Sequence, residues 1–547
     1  MAFLVRGSWY CALLSPWEGY DEPFHFAALQ HVATGQGMPR ADSPISLEVQ
    51  KSLHLLPLPW QLHLHEIPGP LTPHDEFWKL PPDQREAGIA AVRAIPPEDG
   101  WQPGSEPIAN YEFQQAPLYY WIVSLPLRAV SPLPLLSRIY VLRFASLLLA
   151  SLVIPMSYWI ARYVLQSDLK AIGVIAVIVL LPELMINLAR VANDSLALVC
   201  YTALLAAALM VVHKPFRWCG WLLLGITLGF GLLAKAYVLS ALPAVAVVAA
   251  LAAWVSVGAG RARYSSVLAR LGTALAVAAL IAGRWYLRLH ATTHSWTGVK
   301  DDIAIGNLSV IQKVGQVAHV NWRSGVLSIL ISHVWFGAWS FLRIPNAVCV
   351  LAFAVIALAV AGVLVRLRRP QTPSSEKNDI FVLAAFYLSF WAGLLYDVLV
   401  NFLTHGASAS AGWYLYATVA AEIVLLAWGL QAFMSARVLF PSLAVCLAAL
   451  DLYGTHALLM PYYTGLTSHV GNWVPAALGT TLAQLPLVFM RLAELRPGWL
   501  NGSALWVGWA SYWMATIGTV LTVVICFRKS AGNASLFESK PSSRSSQ

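Results

Sequence analysis

Long apolar runs recur along the whole chain, and they limit the fold more than any other feature. They are continuous rather than alternating, and many approach the roughly 20 residues that a helix needs to cross a bilayer. In lipid only helices and closed barrels satisfy every backbone polar group, and continuous runs favour helices. The sequence therefore predicts an all-α, polytopic membrane helical bundle with about 12–13 transmembrane helices. The runs lie at about 117–133, 138–164, 168–186, 194–212, 217–233, 237–257, 267–289, 345–366, 379–401, 413–433, 438–458 and 503–526.

The composition indicates a membrane protein, and the positive net charge does not indicate nucleic-acid binding. Only 11% of the 547 residues are charged, whereas a soluble domain carries about 25%. The net charge is +9, but Lys and Arg lie mainly in short loops between apolar runs, as the positive-inside rule predicts. The predicted partner of the surface is thus the lipid bilayer. The six cysteines lie in or at the ends of apolar runs without a CxxC pair, so we interpret them as packing residues.

The basic loops predict which side each polar segment occupies. Arg217, Arg261, Arg366 and Arg528 mark inner loops, which places the polar segments 16–116, 187–194, 234–236, 290–330, 402–412 and 459–502 outside. This assignment requires one run not to span, and the Pro-rich run 117–133 is the best candidate. The first run is short, and we expect the chain to begin upstream of Met1. The predicted units are residues 1–433 with the outer loop 16–116, further helices over 434–527 with the loop 459–502, and a disordered inner tail over 528–547.

Adjacent carboxylates follow the first run. Asp21 and Glu22 lie at the start of the large outer loop, where a carboxylate near lipid is costly unless it is solvated, paired or functional. At the edge of a low-dielectric cavity such a group can act as a general base. The structural alternative is that Asp21 caps a helix that begins near Pro23.

Two further ionisable positions are predicted at the same membrane face. Asp194 follows Asn193 between two apolar runs and can be catalytic or can cap the following helix. Lys235 interrupts about forty apolar residues and can anchor to headgroups or bind a phosphate as a point charge. A lipid substrate with a phosphate leaving group requires a base on one side and a cation on the other. Two acidic positions and a lysine on one face therefore favour such chemistry.

The outer loops contain other polar clusters. The group in the first loop favours a solvated segment over a zinc site, although two imidazoles two residues apart share a face in an extended chain. It consists of His54, His63, His65, Glu66, His74, Asp75 and Glu76. In the loop 290–330, the residues His294, Trp296, Asp301 and Asp302 can contact a sugar or an acceptor, or belong to an interfacial belt.

Several of these motifs together resemble GT-C glycosyltransferases, polytopic enzymes that use polyprenyl-phosphate sugars and include the protein O-mannosyltransferases and the aminoarabinose transferase. The resemblance covers about the first 430 residues as spaced motifs. Trp413 stands where the family usually has arginine. The similar segments are Tyr20-Asp21-Glu22-Pro23-Phe24-His25-Phe26, Gly35-Gln36-Gly37-Met38-Pro39, Gln114-Gln115-Ala116-Pro117-Leu118-Tyr119-Tyr120, Asn193-Asp194, Leu233-Ala234-Lys235, Gly283-Arg284-Trp285-Tyr286-Leu287-Arg288 and Gly412-Trp413-Tyr414-Leu415-Tyr416.

The resemblance implies an inverting transfer of a sugar from a polyprenyl-phosphate donor to a glycan, lipid or protein acceptor. Asp21 would deprotonate the acceptor, while Glu22 and Asp194 would shape the site or hold a divalent metal. Lys235 with Arg284 or Arg288 would neutralise the departing phosphate. The positions implied to bind substrate are His25, Gln114, Gln115 and Asn193. No cofactor is implied with certainty, since relatives differ in metal dependence. A bacterial inner membrane with a periplasmic active site is the implied location.

Two alternatives stay open from the sequence. A transporter or lipid flippase would show internal repeats and broken helices at matching positions, and we find no clear repeat. A catalytically inactive member of the same superfamily could act as a scaffold, and Trp413 in place of arginine favours this interpretation slightly.

Overall fold

The computed structural model describes residues 1–64, 67–258, 263–469 and 476–538, and within these ranges the chain is helical without a strand. The three isolated β-bridges that occur there do not extend into ladders. The predicted all-α polytopic bundle is confirmed. His65, Glu66, Arg261 and the last nine residues of the predicted tail lie outside the described residues.

Most of the predicted apolar runs form helices of membrane-spanning length. Asp168–Leu180 and Pro182–Leu188 form a further pair, bent by 63° where Pro182 interrupts the helix. Trp218–Ala234 is a shorter apolar helix of 17 residues. The helices of the described chain that are long and apolar enough to span are nine: Leu135–Leu165, Asp194–His213, Ala236–Ser256, Tyr264–Thr293, Asn346–Arg368, Ser374–His405, Gly412–Leu430, Ala436–Tyr463 and Gly502–Lys529.

Besides the bent pair and Trp218–Ala234, the difference from the expected 12–13 spans lies in the first run and in the run 117–133. They form the helices Ala2–Leu13 and Leu118–Ala129, each of 12 residues. Twelve helical residues extend over about 18 Å, which is less than the hydrocarbon thickness of about 30 Å. The length of Leu118–Ala129 therefore agrees with the prediction that this run does not cross the membrane fully.

The first outer loop folds into a small helical unit with its own core. Glu22–Ala33 begins with Pro23 in its first turn and ends before Gly35, which has a φ of +86°. The core of this unit contains the fully buried side chains of Trp17, Leu29 and Leu53. It also packs against the helix Leu118–Ala129. The remaining described elements of the loop are Leu47–Leu55, Trp60–Leu64, His74–Phe77, Pro82–Arg93, Pro97–Trp101 and Tyr111–Gln114.

The C-terminal helices pack directly on the N-terminal helix. Arg6 of Ala2–Leu13 forms a buried ion pair with Asp451 of Ala436–Tyr453, and its Nε donates to Thr516 at 3.0 Å. The last helix continues from Gly502 to Glu538, so the first part of the predicted disordered tail is helical. The regions 1–433 and 434–527 thus share one hydrophobic core.

The segments between the late spans contain short helices. Lys300–Ala304, Val310–Gln316 and Trp322–Val334 follow the long helix Tyr264–Thr293. Ala476–Ala483 and Leu485–Glu494 precede the last helix. Trp322–Val334 packs against the short helix Gly412–Thr418, which begins the span Gly412–Leu430.

Candidate active site

Asp21 has a left-handed backbone conformation, and its side chain does not cap the following helix. It precedes the helix Glu22–Ala33 with φ 58° and ψ 12°, and its carboxylate makes no capping hydrogen bond. The left-handed region costs a non-glycine residue roughly 1–2 kcal/mol. The carboxylate instead accepts a hydrogen bond from the Tyr111 hydroxyl at 2.5 Å and stays partly exposed. The capping alternative is therefore wrong in its side-chain part, and the carboxylate can receive a proton from solvent or a ligand.

Glu22 lies beside Asp21 in sequence but faces the protein interior. Both of its oxygens accept from Arg143, at 2.7 and 2.5 Å, and one also accepts from the backbone N–H of Val191 at 3.0 Å. Arg143 in turn donates to the carbonyls of Leu14 and Ser15. Glu22 is fully buried, so this ion pair joins the start of the outer loop to the bundle.

Asp194 holds two cations at the N-terminal end of the helix Asp194–His213. Arg190 approaches one carboxylate oxygen at 2.6 Å, and Lys235 approaches the other at 2.8 Å. Lys235 ends the helix Trp218–Ala234, and its ammonium lies 4.9 Å from the ring centre of Tyr414. Asp194 does not cap its helix through its side chain. The structure thus brings the predicted acid and the predicted lysine into direct contact.

A cavity of about 460 Å³ opens beside this pair. Its lining includes Lys235, Tyr237, Tyr414, Asp302 and Asp397. Asp397 accepts from the Ser410 hydroxyl at 2.7 Å, and Asp302 accepts from Tyr396 at 3.1 Å. The cavity therefore has a cation, aromatic rings and hydrogen-bonding acids in its lining, which suits a ligand with an anionic and a hydroxylated part.

His25 and Glu112 form a buried polar group beside Asp21. The Nδ1 atom of His25 is 2.7 Å from the Tyr120 hydroxyl and 3.8 Å from Glu112 Oε2. Burial, and then the neighbouring carboxylate of Asp21, raise the pKa of Glu112 to about 8. Burial, and then the cations Lys235 and Arg190, hold the pKa of His25 well below its ordinary value, so the imidazole is neutral at pH 7.

The predicted polar positions before and after this group also converge. Asn193 donates to Gln115 at 2.7 Å and to the Ala234 carbonyl at 3.2 Å, which links the helix ends that carry Asp194 and Lys235. Gln114 and Gln115 both line the cavity. The side-chain oxygens of Asn193 and Gln114 are buried without a hydrogen-bond partner, so both are available to a ligand.

Arg284 and Arg288 lie elsewhere than predicted. Arg284 is exposed on the long helix Tyr264–Thr293, and Arg288 lines a second cavity together with Arg40 and Phe113. Neither arginine lines the cavity at Lys235. The cation that does accompany Lys235 is Arg190, and its spacing of four residues from Asp194 was the sequence signal that could have identified it.

Trp413, which replaces the usual arginine, stacks on Tyr20 with ring centres 4.1 Å apart and planes 6° apart. The guanidinium of Arg190 lies over the same tyrosine ring at 4.9 Å. Tyr111 and Glu112 were missed because nothing in their spacing connects them with Asp21. Trp296, by contrast, stacks on His290 and does not line the cavity.

Glu22 and Asp194 do not fit the metal site that the resemblance allowed. Both oxygens of each carboxylate are already paired with protein donors, Glu22 with Arg143 and the Val191 N–H, and Asp194 with Arg190 and Lys235. In the first-loop cluster, the described members His74 and Asp75 are buried, and His54 is 3.6 Å from Glu106. Among the described residues, the cluster does not form a metal-binding group of three.

The chain is an integral membrane protein with the all-α architecture of a polytopic bundle. Over residues 116–297, about a third of its length, it matches the family model described as dolichyl-phosphate-mannose-protein mannosyltransferase. This stretch contains Asp194 and Lys235 but not Asp21. The resemblance to the GT-C superfamily is thereby confirmed.

Two solved structures are similar in outline. One is ArnT from Cupriavidus metallidurans in the apo state, with 13% identity, a TM-score of 0.46, and coverage of 94% of this chain and 75% of that one. The other is ArnT from Cupriavidus metallidurans bound to undecaprenyl phosphate, with 15% identity, a TM-score of 0.42, and coverage of 87% and 75%. No curated protein matches the chain.

Proposed function

We propose that the protein is a membrane glycosyltransferase that transfers a sugar from a polyprenyl-phosphate donor to an acceptor hydroxyl with inversion. The observation that carries the proposal is the contact between Asp194 and Lys235 at the wall of a cavity, with the partly exposed carboxylate of Asp21 nearby. The family model that matches residues 116–297 names a dolichyl-phosphate-mannose donor, and a similar solved structure contains undecaprenyl phosphate.

Lys235 is the proposed phosphate ligand. Its ammonium has three donors, and Asp194 uses one of them at 2.8 Å. The remaining donors can bind oxygens of a phosphate that enters the cavity. As the sugar–phosphate bond breaks, negative charge grows on the leaving oxygen, and a fixed cation in a partly desolvated site stabilises that charge. Arg190 adds positive charge and fixes Asp194, so that Asp194 is a positioning residue for the lysine.

Asp21 is the proposed base. The acceptor hydroxyl oxygen forms a bond to the anomeric carbon, its proton moves to the Asp21 carboxylate, and the bond between the anomeric carbon and the phosphate oxygen breaks. The leaving group is the polyprenyl phosphate. Attack from the side opposite the leaving group inverts the configuration. Tyr111 holds one oxygen of Asp21 and leaves the other to the acceptor.

Four further polar residues are proposed to contact substrate or to shape its site, namely Gln114, Gln115, Asn193 and His25. Gln114 and Gln115 line the cavity, and Asn193 donates a hydrogen bond to Gln115. The proposed side of the reaction is extracytoplasmic, in a bacterial inner membrane, with a glycan, lipid or protein acceptor. The unit 1–433 is proposed to carry the catalytic residues, and 434–527 to support it through the contacts of Arg6.

The proposal is tested first by lipid binding. The protein in nanodiscs is titrated with undecaprenyl phosphate and followed by native mass spectrometry, with Arg284→Gln as a control for general loss of positive charge. We expect saturable binding that Lys235→Ala weakens and Arg284→Gln does not. Equal binding by both variants would contradict the role of Lys235.

Transfer itself is tested with undecaprenyl-phosphate sugars labelled in the sugar. Wild-type protein is incubated with the donors and with lipid and glycan extracts, and release of undecaprenyl phosphate together with transfer of label is measured. Asp21→Asn should bind the lipid normally and release it about 10²–10⁴-fold more slowly. Release by Asp21→Asn at the wild-type rate would remove Asp21 from the base role.

A further inference from the structure

A further cavity lies within the first loop and shares no lining residue with the cavity at Lys235. This loop cavity has a volume of about 310 Å³, at the small end of the roughly 300–1,000 Å³ that ligand pockets occupy. The helices Glu22–Ala33 and Pro97–Trp101 both contribute to its wall. Its lining presents an indole, side-chain amides and hydroxyls. These groups belong to Trp101, Gln30, Gln36, Gln102, Thr34 and Ser43.

The lining of the loop cavity is uncharged. Among the described residues that form it there is no Asp, Glu, Lys or Arg, and the one titratable side chain is that of His31. Partial burial lowers the pKa of His31 below its ordinary value, so this imidazole is neutral at pH 7. The lining of the cavity at Lys235, in contrast, contains a cation and two carboxylates. An ionic ligand would find no counter-charge in the loop cavity, whereas an uncharged polar ligand meets hydrogen-bonding partners there.

Gly100 brings the backbone at the loop cavity close to a buried polar group. A Cβ atom at this position would lie 2.5 Å from Gln30 Nε2, 2.7 Å from Glu48 Oε2 and 2.9 Å from Arg138 Nη1. Glu48 pairs with Arg138 and accepts from Gln30 Nε2 at 2.7 Å. Arg138 is fully buried, and its Nε and Nη1 atoms have no hydrogen-bond partner. Buried donors are nearly always paired, so unpaired donors next to a cavity indicate a ligand or a water that accepts from them.

These features match the chemistry of a neutral sugar. A sugar hydroxyl both donates and accepts hydrogen bonds, and a side-chain amide offers both a donor and an acceptor. The C–H groups on the face of a sugar ring pack on the negative face of an aromatic ring. Trp101 is partly exposed and lines the loop cavity, so it can supply that face. An apolar ligand, by comparison, would leave the amides without partners.

The loop cavity follows the active site along the first loop. Residues 43–44 line it, while residues 39–42 line the second cavity, which also contains Arg288. Phe113 of the second cavity directly precedes Gln114, which lines the cavity at Lys235. Consecutive residues are about 3.8 Å apart, so the three cavities succeed one another along the same loop. A ligand composed of several sugar units has the extended shape that such a succession accommodates.

We propose that the loop cavity binds an uncharged sugar unit of the acceptor, remote from the hydroxyl that reacts. The acceptor is then an oligosaccharide or carries one, and Trp101 determines specificity for it. This role rests on the proposed function, whereas binding of the sugar does not, because it requires neither the donor lipid nor Asp21. Glycan binding at the loop cavity and lipid binding at Lys235 can therefore be measured separately.

The test is binding of the whole chain, in fluorescently labelled nanodiscs, to an array of neutral and acidic oligosaccharides. The neutral ones consist of hexoses, deoxyhexoses and N-acetylhexosamines. We expect wild-type protein to bind a subset of the neutral glycans, and Trp101→Ala to bind the same glycans about tenfold more weakly because the stacking surface is lost. The control is Trp499→Ala, which removes an indole that is 48% exposed and lies outside the loop cavity. It should bind like wild type.

A pair of glutamine variants guards against a tryptophan variant that does not fold. Gln102 lines the loop cavity and Gln84 of Pro82–Arg93 does not, and both are exposed. Gln102→Ala should weaken glycan binding about fivefold, and Gln84→Ala should leave it unchanged. All four variants should bind undecaprenyl phosphate like wild type. Absence of lipid binding in wild-type protein would contradict the proposed function and leave the glycan result standing.

Three results would each overturn the inference about the loop cavity. The first is absence of binding to every neutral glycan of the array. The second is binding restricted to acidic glycans, which the uncharged lining does not accommodate. The third is equal glycan binding by Trp101→Ala and Trp499→Ala together with equal binding by the two glutamine variants.

Discussion

Two networks of buried charge lie at different places in this protein and differ in how completely they are satisfied. The inner network joins Arg6 and Asp451 across the N- and C-terminal helices. The outer network joins Asp194 to Arg190 and Lys235 beside the cavity. Both are costly to bury, and ionisable residues inside a membrane protein generally suggest a functional site.

The inner network is closed. Asp451 accepts from Arg6 and Tyr10, and from Tyr512 at 2.7 Å, while Arg6 also donates to Thr516 and to the Val179 carbonyl. In the described part of the chain, none of these side-chain polar atoms is left without a partner. Such an arrangement ties four helices together and offers nothing to a ligand.

The outer network is open. It adjoins a cavity, a carboxylate in a left-handed conformation, and orphan oxygens of Asn193, Gln114 and Glu112. The difference teaches that a buried charge alone does not indicate function. Unsatisfied polar atoms and accessible space beside the charge distinguish a binding site from a structural tie, and four substitutions test this distinction.

The largest effect is expected at Asp21. Asp21→Asn keeps the side-chain volume and removes the base, and general bases contribute about 10²–10⁴-fold to a rate. We expect a loss of transfer of that size with an unchanged melting temperature in detergent. A large drop in thermal stability with transfer retained would assign Asp21 to the structural type of network instead.

The next effect is expected in the closed network. Asp451→Asn leaves the Arg6 charge buried without its counter-ion, which costs roughly 3–5 kcal/mol. Thermal unfolding in detergent should show a strongly lowered melting temperature. The double variant Arg6→Met with Asp451→Leu should recover part of it, because an apolar pair of similar volume removes both charges, although the Tyr10 and Tyr512 hydroxyls lose their acceptor. Failure to recover would mean that the network has a role beyond its charge balance.

A smaller effect is expected at Lys235. A charged hydrogen bond contributes about 1.5–3 kcal/mol, so Lys235→Ala should weaken the binding of undecaprenyl phosphate about 10- to 100-fold. The titration is that described above, with the melting temperature measured in parallel. If Lys235→Ala has a lowered melting temperature but normal affinity for undecaprenyl phosphate, the open network has a structural role instead.

The smallest effect is expected at Arg288. This exposed arginine lines the second cavity, and exposed charges contribute about 0–1 kcal/mol. Arg288→Gln should change lipid affinity less than about fivefold in the same assay. A change as large as that of Lys235→Ala would extend the binding site to the second cavity.

The sequence predicted the parts of the site that lie next to the apolar runs. The ends of the runs locate Asp21, Asp194 and Lys235, because a charge at the end of a span is conspicuous against its surroundings. The resemblance placed them in one site. Arg284 and Arg288 were misplaced because helical spacing alone does not tell which face of a helix meets the bundle, and both arginines are exposed.

The folded core of the first loop could not be predicted from the sequence. Its helices depend on tertiary packing around Trp17 and Leu53 rather than on a regular apolar pattern, so the loop appeared hydrophilic. Glu112 joins Asp21 only because the loop returns upon itself over about ninety residues. The number of spans was overestimated, because a 12-residue apolar helix and a full span have similar apolar composition.

The stack of Trp413, Tyr20 and Arg190 has a consequence for how this site can evolve. Tyr20 lies between an indole and a guanidinium, so the three positions are mutually dependent. An arginine at 413 would place two guanidinium groups on opposite faces of one phenol ring, close to Lys235, and would lose the indole contact. We therefore expect the single substitution Trp413→Arg to destabilise this stack. We expect homologues with arginine at this position to differ at Tyr20 or Arg190 as well.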